Sequence, residues 1–173
     1  MRWFPVVFVM LAMLTLQTAV VPHLSLLGAR PDWLLVLVVF FSFHAAPHEA
    51  YTVAFLTGIT ADLMSVERLG LLAASYLLVS VLVVSVRGYL FRLEAATQFF
   101  TVLFACLLVR TGWMIYARIH YDFLRGAGEE LLFDVLGGSL YTALWAPPWH
   151  GGLFRMVKVL GLPRPRYTFA AGG

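Results

Sequence analysis

The sequence predicts an all-α protein, a polytopic integral membrane bundle of six helices with a short second helix. Two observations carry that expectation. Hydrophobic residues make up 61% of the 173-residue chain and charged residues only 12%, more apolar side chain than a soluble core of this length hides. These residues also fall into five or six near-continuous apolar stretches separated by short charged joints, which leaves no room for a second, soluble domain.

The first apolar stretch covers residues 3–21, about 28 Å at ~1.5 Å per residue, which matches a bilayer core. Pro5 falls in its first turn, where a missing N–H costs little. The stretch exceeds a signal-peptide core, and Val20-Val21-Pro22 is a poor cleavage site, so it is expected to remain as a span. Pro22 and Gly28 then break the chain. A second block, residues 33–46, reaches only about 21 Å and is expected to be a short or embedded helix. Arg30-Pro31-Asp32 opens it. Pro31 has its φ preset for a helix start, and Asp32 meets the positive end of the helix dipole. Pro47 marks the next joint. Further spans are expected over residues 50–64, 69–86 and 95–117, with Glu67-Arg68-Leu69-Gly70 as a turn before the fourth. A polar loop over residues 118–130 precedes a sixth span, residues 131–146, which Pro147-Pro148 is expected to stop.

Six crossings put both termini on one side. If that side is the cytoplasm, its segments carry Arg2, Arg87, Arg92, Arg155, Lys158, Arg164 and Arg166, against Arg30, Arg68, Arg118 and Arg125 opposite. The bias supports both termini inside; a five-span alternative, with residues 33–46 re-entrant, would put the tail outside. The transmembrane domain is thus expected over residues 1–146 and a cytoplasmic tail over 147–173. Within that tail Leu153, Phe154, Val157 and Leu160 share one helical face, and Arg155 and Lys158 take the other. The pattern predicts a short amphipathic helix at the membrane surface, its cations toward anionic headgroups.

A few polar residues sit where lipid does not welcome them. Arg110 lies inside the fifth span, where a cation costs a few kcal/mol or more unless it snorkels or finds a partner. Asp134, at similar depth in the sixth span, is the expected partner; the alternative is that Arg110 reaches headgroups or a water cavity alone. Ala50, Ala54, Gly58 and Asp62 form a small-residue stripe repeating every four positions, and Asp134, Gly138, Thr142 and Ala146 form another. Such stripes let helices approach closely, so both are expected to be packing seams. The Asp at each stripe's end suits a capping or loop-bracing hydrogen bond, with ion or proton binding as the alternative.

Catalytic chemistry is poorly represented. Only His44 and His48, of five histidines, have helical metal-ligand spacing, and Pro47 interrupts them. The chain has no Gly-x-Ser-x-Gly and no phosphate-cradling glycine loop. Cys106 is the only cysteine, so an intrachain disulfide is excluded. The net charge of +3 comes from basic residues at span ends, which suits membrane orientation rather than nucleic-acid binding. A non-enzymatic protein without cofactor or metal is expected.

The order of features resembles one family. A Pro-bearing loop follows the first span, Arg30-Pro31-Asp32 opens an apolar block, and Pro47 precedes a span carrying Gly58-x-x-x-Asp62, then a polar turn and Gly70-Leu71. This resembles the bacterial rod shape-determining MreD family. The likeness covers the whole chain in length and layout, with its specific residues between Arg30 and Leu71; the second half matches only as apolar spans, so Arg110 and Asp134 inherit no role from it. It implies a scaffold of the cytoplasmic membrane that binds the bitopic protein MreC, alongside MreB and the peptidoglycan polymerase–transpeptidase pair, and helps control lateral wall synthesis and cell shape. It also implies a fold resembling the substrate-binding subunits of energy-coupling-factor vitamin transporters, with the short second block held against the bundle. Such a transporter subunit is the alternative function. Its usual Ala-x-x-x-Ala pair in the first helix is missing, because Leu16 follows Ala12.

Overall fold

The computed structural model describes residues 2–25, 29–64, 70–88, 95–120 and 128–162. Within them the regular elements are helical: α1 (Trp3–Ala19), a 3-10 turn (Val21–Leu24), α2 (Trp33–His44), α3 (Pro47–Met64), α4 (Leu71–Val86), α5 (Ala95–His120), α6 (Gly128–Arg155) and the single turn α7 (Val157–Leu160). The expected turn residues Glu67, Arg68 and Leu69, and the cations Arg92, Arg125, Arg164 and Arg166, lie outside the described residues.

The short second block is the centre of the molecule. Every residue of α2 is buried, and Val36 through Phe41 are fully enclosed. Around it stand α1, α3, α4, α5 and α6, with α3 packed along α4 and α5 along α6. A helix of 12 residues is about 18 Å long, too short to face lipid across a bilayer. Because protein encloses it on every side, α2 has no need to match bilayer thickness. The block expected to be held against the bundle is therefore the core that the bundle surrounds.

The outer helices turn large apolar side chains away from α2. Phe4 is 89% exposed, Phe104 72% and Leu144 60%, with Phe8, Ile115, Ile119 and Leu136 similarly outward. Large exposed apolar side chains in this number mark a surface that contacts a membrane or a partner. Among the described residues α5 alone is both long and apolar enough to cross a membrane by length and composition; α1, α2 and α4 are apolar but shorter.

The expected stop at Pro147-Pro148 is corrected by the structure: both prolines lie inside α6, which continues to Arg155. Proline lacks the N–H that would bond the carbonyl four residues earlier, so Ala143 and Leu144 lose those partners. Burial of Ala143, Ala146, His150 and Leu153 holds the turns on either side in place, and this packing outweighs the local breaker. The helical block therefore extends well past Ala146. In the segment expected to be amphipathic, Leu153, Val157 and Leu160 are buried in the bundle, while Phe154 stays 39% exposed. The amide of Arg2 donates to the Leu160 carbonyl at 3.0 Å, so the start of α1 and the end of α7 meet at one end of the molecule.

Candidate functional site

A buried helix must satisfy the backbone groups at both its ends, and in α2 each end does so with side chains from its neighbours. Asp32 is the N-cap: its Oδ1 accepts from the Leu35 amide at 3.0 Å. Its Oδ2 accepts from the Tyr76 hydroxyl of α4 at 2.8 Å. Its own amide donates to Thr142 Oγ1 of α6 at 3.0 Å, and that hydroxyl donates onward to the Gly138 carbonyl at 2.7 Å. Gln17 of α1 brackets the same segment. Its Nε2 donates to the Pro31 carbonyl at 3.1 Å, and its Oε1 accepts from the Trp33 amide at 2.9 Å.

Arg110 completes this hub. Its Nη2 donates to the Arg30 carbonyl at 2.6 Å, and its Nη1 to Asp134 Oδ2 at 2.8 Å and to the Asp134 carbonyl at 3.2 Å. The expected pair between α5 and α6 therefore forms, with side chains 18% and 43% exposed. The guanidinium lies against Gly138, where an added Cβ would stand 2.8 Å from Nη2. Glycine at 138 is thus needed for the room that Arg110 occupies rather than for close backbone approach. In one cluster Arg30-Pro31-Asp32 is tied to α1, α4, α5 and α6.

Asp62 plays the bracing part expected of it. It is buried, and its carboxylate accepts from the amides of Gly70, Leu72 and Ala73 at 2.9, 3.0 and 3.0 Å. Those are the unpaired donors at the start of α4, and a carboxylate there also meets the positive end of the helix dipole. Gly70 turns into α4 with φ +102°, a conformation open to glycine. One turn before Asp62, a Cβ on Gly58 would stand 2.8 Å from the Ala73 amide nitrogen and 3.0 Å from the Leu72 carbonyl. At Gly58, therefore, α3 and α4 pack backbone against backbone.

At the other end of α2, Arg87 Nη1 donates to the Ser42 and Ala45 carbonyls at 2.9 and 2.6 Å. A cation at a helix C-terminus is favourable. In the same last turn, Ser42 Oγ donates to Ser80 Oγ of α4 at 2.8 Å. His44 closes α2, stacked on Phe40 with ring centroids 4.5 Å apart, while His48 belongs to the first turn of α3. His150 Nε2 lies 3.3 Å from the Val36 carbonyl.

The sequence reading did not single out Gln17, Tyr76 or the helix-ending role of Arg87. Gln17 was detectable, since an amide inside an otherwise apolar span asks for a partner. Tyr76 was not, because nothing near it in sequence distinguishes it from an aromatic facing lipid.

The hub's polar groups bind one another, so its chemistry is that of holding helices in register. No curated protein and no solved structure matches the chain. A family model, described as rod shape-determining protein MreD, matches residues 1–144. On that match, which spans most of the sequence and includes the whole hub, the chain belongs to the MreD family of rod shape-determining proteins.

Proposed function

We propose that this protein is a multi-pass scaffold of the bacterial cytoplasmic membrane that binds MreC and helps control lateral peptidoglycan synthesis and cell shape. Family membership, which supports a role in rod shape determination, carries the reading. The reading takes six spans with both termini cytoplasmic, and the meeting of Arg2 with Leu160 at one end of the molecule supports it. Helices α1 and α4, of 17 and 16 residues, are about 26 and 24 Å long, near the hydrocarbon thickness once their flanks are added. MreB and the polymerase–transpeptidase pair are the further partners of this reading, reached through the same machinery. The vitamin-transporter alternative draws no support from the family match, and the departure at Ala12 and Leu16 stands against it.

In mechanism, the bundle presents a fixed outer surface to a single transmembrane helix of MreC. The hub fixes where α1, α4, α5 and α6 stand around α2, and the Gly58 seam fixes α3 against α4. A partner that recognises the surface of several helices at once requires their spacing to be constant. The test is recovery of MreC from detergent-solubilised native membranes with tagged wild-type protein and with Gly58→Leu. Wild type recovers MreC. The leucine clashes with the Ala73 backbone and lowers the yield while the protein remains membrane-inserted. Wild-type yield from the variant would show that binding ignores this seam, and release of the wild-type chain by alkaline carbonate would end the multi-pass reading.

A further inference from the structure

We propose that the end of the molecule where α1 meets α7 is a binding site for the phosphate headgroup of an anionic phospholipid, a proposal that rests on the membrane reading above. The backbone bond from Arg2 to Leu160 and the left-handed Gly161, whose α-carbon faces the Arg2 side chain, pin the two chain ends together. That contact joins the exposed Arg2 to the segment that carries the exposed Arg155 and Lys158, so three cations belong to this end of the molecule. Arg155 and Lys158 are three residues apart, on the side opposite the buried Leu153, Val157 and Leu160. The first turn of α1 holds no acidic residue, and neither does the turn of α7. One acidic side chain, Glu49 at the start of α3, accepts from the Ala46 amide at 3.4 Å and faces the chain's N-terminal charge, so it offsets part of this positive charge.

The surroundings specify a lipid rather than a soluble anion. Trp3, Phe4 and Phe154, which flank these cations in sequence, are 44%, 89% and 39% exposed. Aromatic rings next to basic side chains are the composition of a membrane–water boundary, where rings sit at headgroup level and cations reach for phosphate. The short C-terminal segment thus differs from the amphipathic surface helix expected from its sequence. Its apolar face is spent on the bundle, and its backbone is tied through Leu160 to Arg2. Cations carried on a fixed backbone bind a headgroup with less loss of chain freedom than those on a mobile tail.

Native mass spectrometry of the full chain released from detergent tests this, with phosphatidylglycerol and phosphatidylcholine of equal chain length supplied together. Wild type retains phosphatidylglycerol preferentially. Each of Arg2→Gln, Arg155→Gln and Lys158→Gln lowers that preference about fivefold, the change that ~1 kcal/mol per cation near a surface produces, and the triple variant approaches parity. Arg118→Gln, an equal change of charge on an exposed residue of α5, leaves the preference intact. Should the triple variant not fold, Arg155→Gln with Lys158→Gln spares the Arg2 contact and gives the same reading. Absence of preference in wild type, or an equal loss in Arg118→Gln, overturns the proposal. Displacement of the lipid by sodium phosphate, beyond that by sodium chloride at matched ionic strength, would make this a free-phosphate site and also overturns it. So would a triple variant with wild-type lipid preference that has lost an acidic protein partner. A chain that never enters membranes fails the earlier reading, whereas an inserted chain indifferent to headgroup charge fails this one alone.

Discussion

Replacing Arg110 with alanine removes three hydrogen bonds at once, to Asp134 Oδ2, the Asp134 carbonyl and the Arg30 carbonyl. The gross attraction of two unit charges near contact is about 4 kcal/mol in a partly screened setting, but most of this is offset by desolvation. Asp134 is 43% exposed, so solvent screening leaves a net pair coupling of about 1–2 kcal/mol. The Arg30 carbonyl left without a donor, and the second bond lost at the Asp134 carbonyl, which keeps its helical donor, together add about 1.5 kcal/mol. Arg110→Ala should therefore cost about 3 kcal/mol, which lowers Tm by roughly 6–12 °C for a chain of this size. Asp134→Asn should cost about half as much, since asparagine keeps an acceptor for Nη1 and the Arg30 carbonyl keeps its donor. The assay is thermal unfolding in detergent of wild type, both single variants and the double variant. The double variant should be less destabilised than the sum of the singles by the coupling, about 1–2 kcal/mol. Strict additivity would refute the pair, and an Arg110→Ala variant as stable as wild type would refute the hub itself.

Two further outcomes follow from the same geometry. Gly138→Ala places a methyl where the Arg110 guanidinium lies, so it should destabilise the wild type by about 2 kcal/mol. In an Arg110→Ala background the same substitution should be neutral or stabilising, as alanine favours a helix over glycine by about 1 kcal/mol; equal costs in both backgrounds would contradict the steric account. Asp62→Ala should cost about 3 kcal/mol by stripping three amides of their acceptor, and Asp62→Asn less. The distinguishing readout is hydrogen exchange at Leu72 and Ala73, which should accelerate in the alanine variant ahead of the rest of α4.

Much of this was legible in residue order, because long apolar stretches make isolated polar groups conspicuous. Asp62, four residues after Gly58, announced a bracing carboxylate at the end of a packing seam, and the structure gives it three amides of α4. Arg110 and Asp134 were matched by depth alone, and they meet. Arg30-Pro31-Asp32 marked a helix start, and Asp32 caps it. The role of Tyr76 in the hub was invisible, since its partner lies 44 positions away. The stop expected at Pro147-Pro148 failed for a related reason: a local breaker was outweighed by contacts that local sequence does not contain.

Composition and order by themselves determined the all-helical class, the approximate places of the main helices and the few polar residues that had to find partners. Tertiary structure alone decided which helix is central. Hydrophobicity separates inside from outside only where the solvent is water. In a sequence this apolar, Phe40 in the core and Phe104 on the surface look alike. The position of α2 comes instead from its length, its two satisfied ends and the neighbours whose side chains reach them.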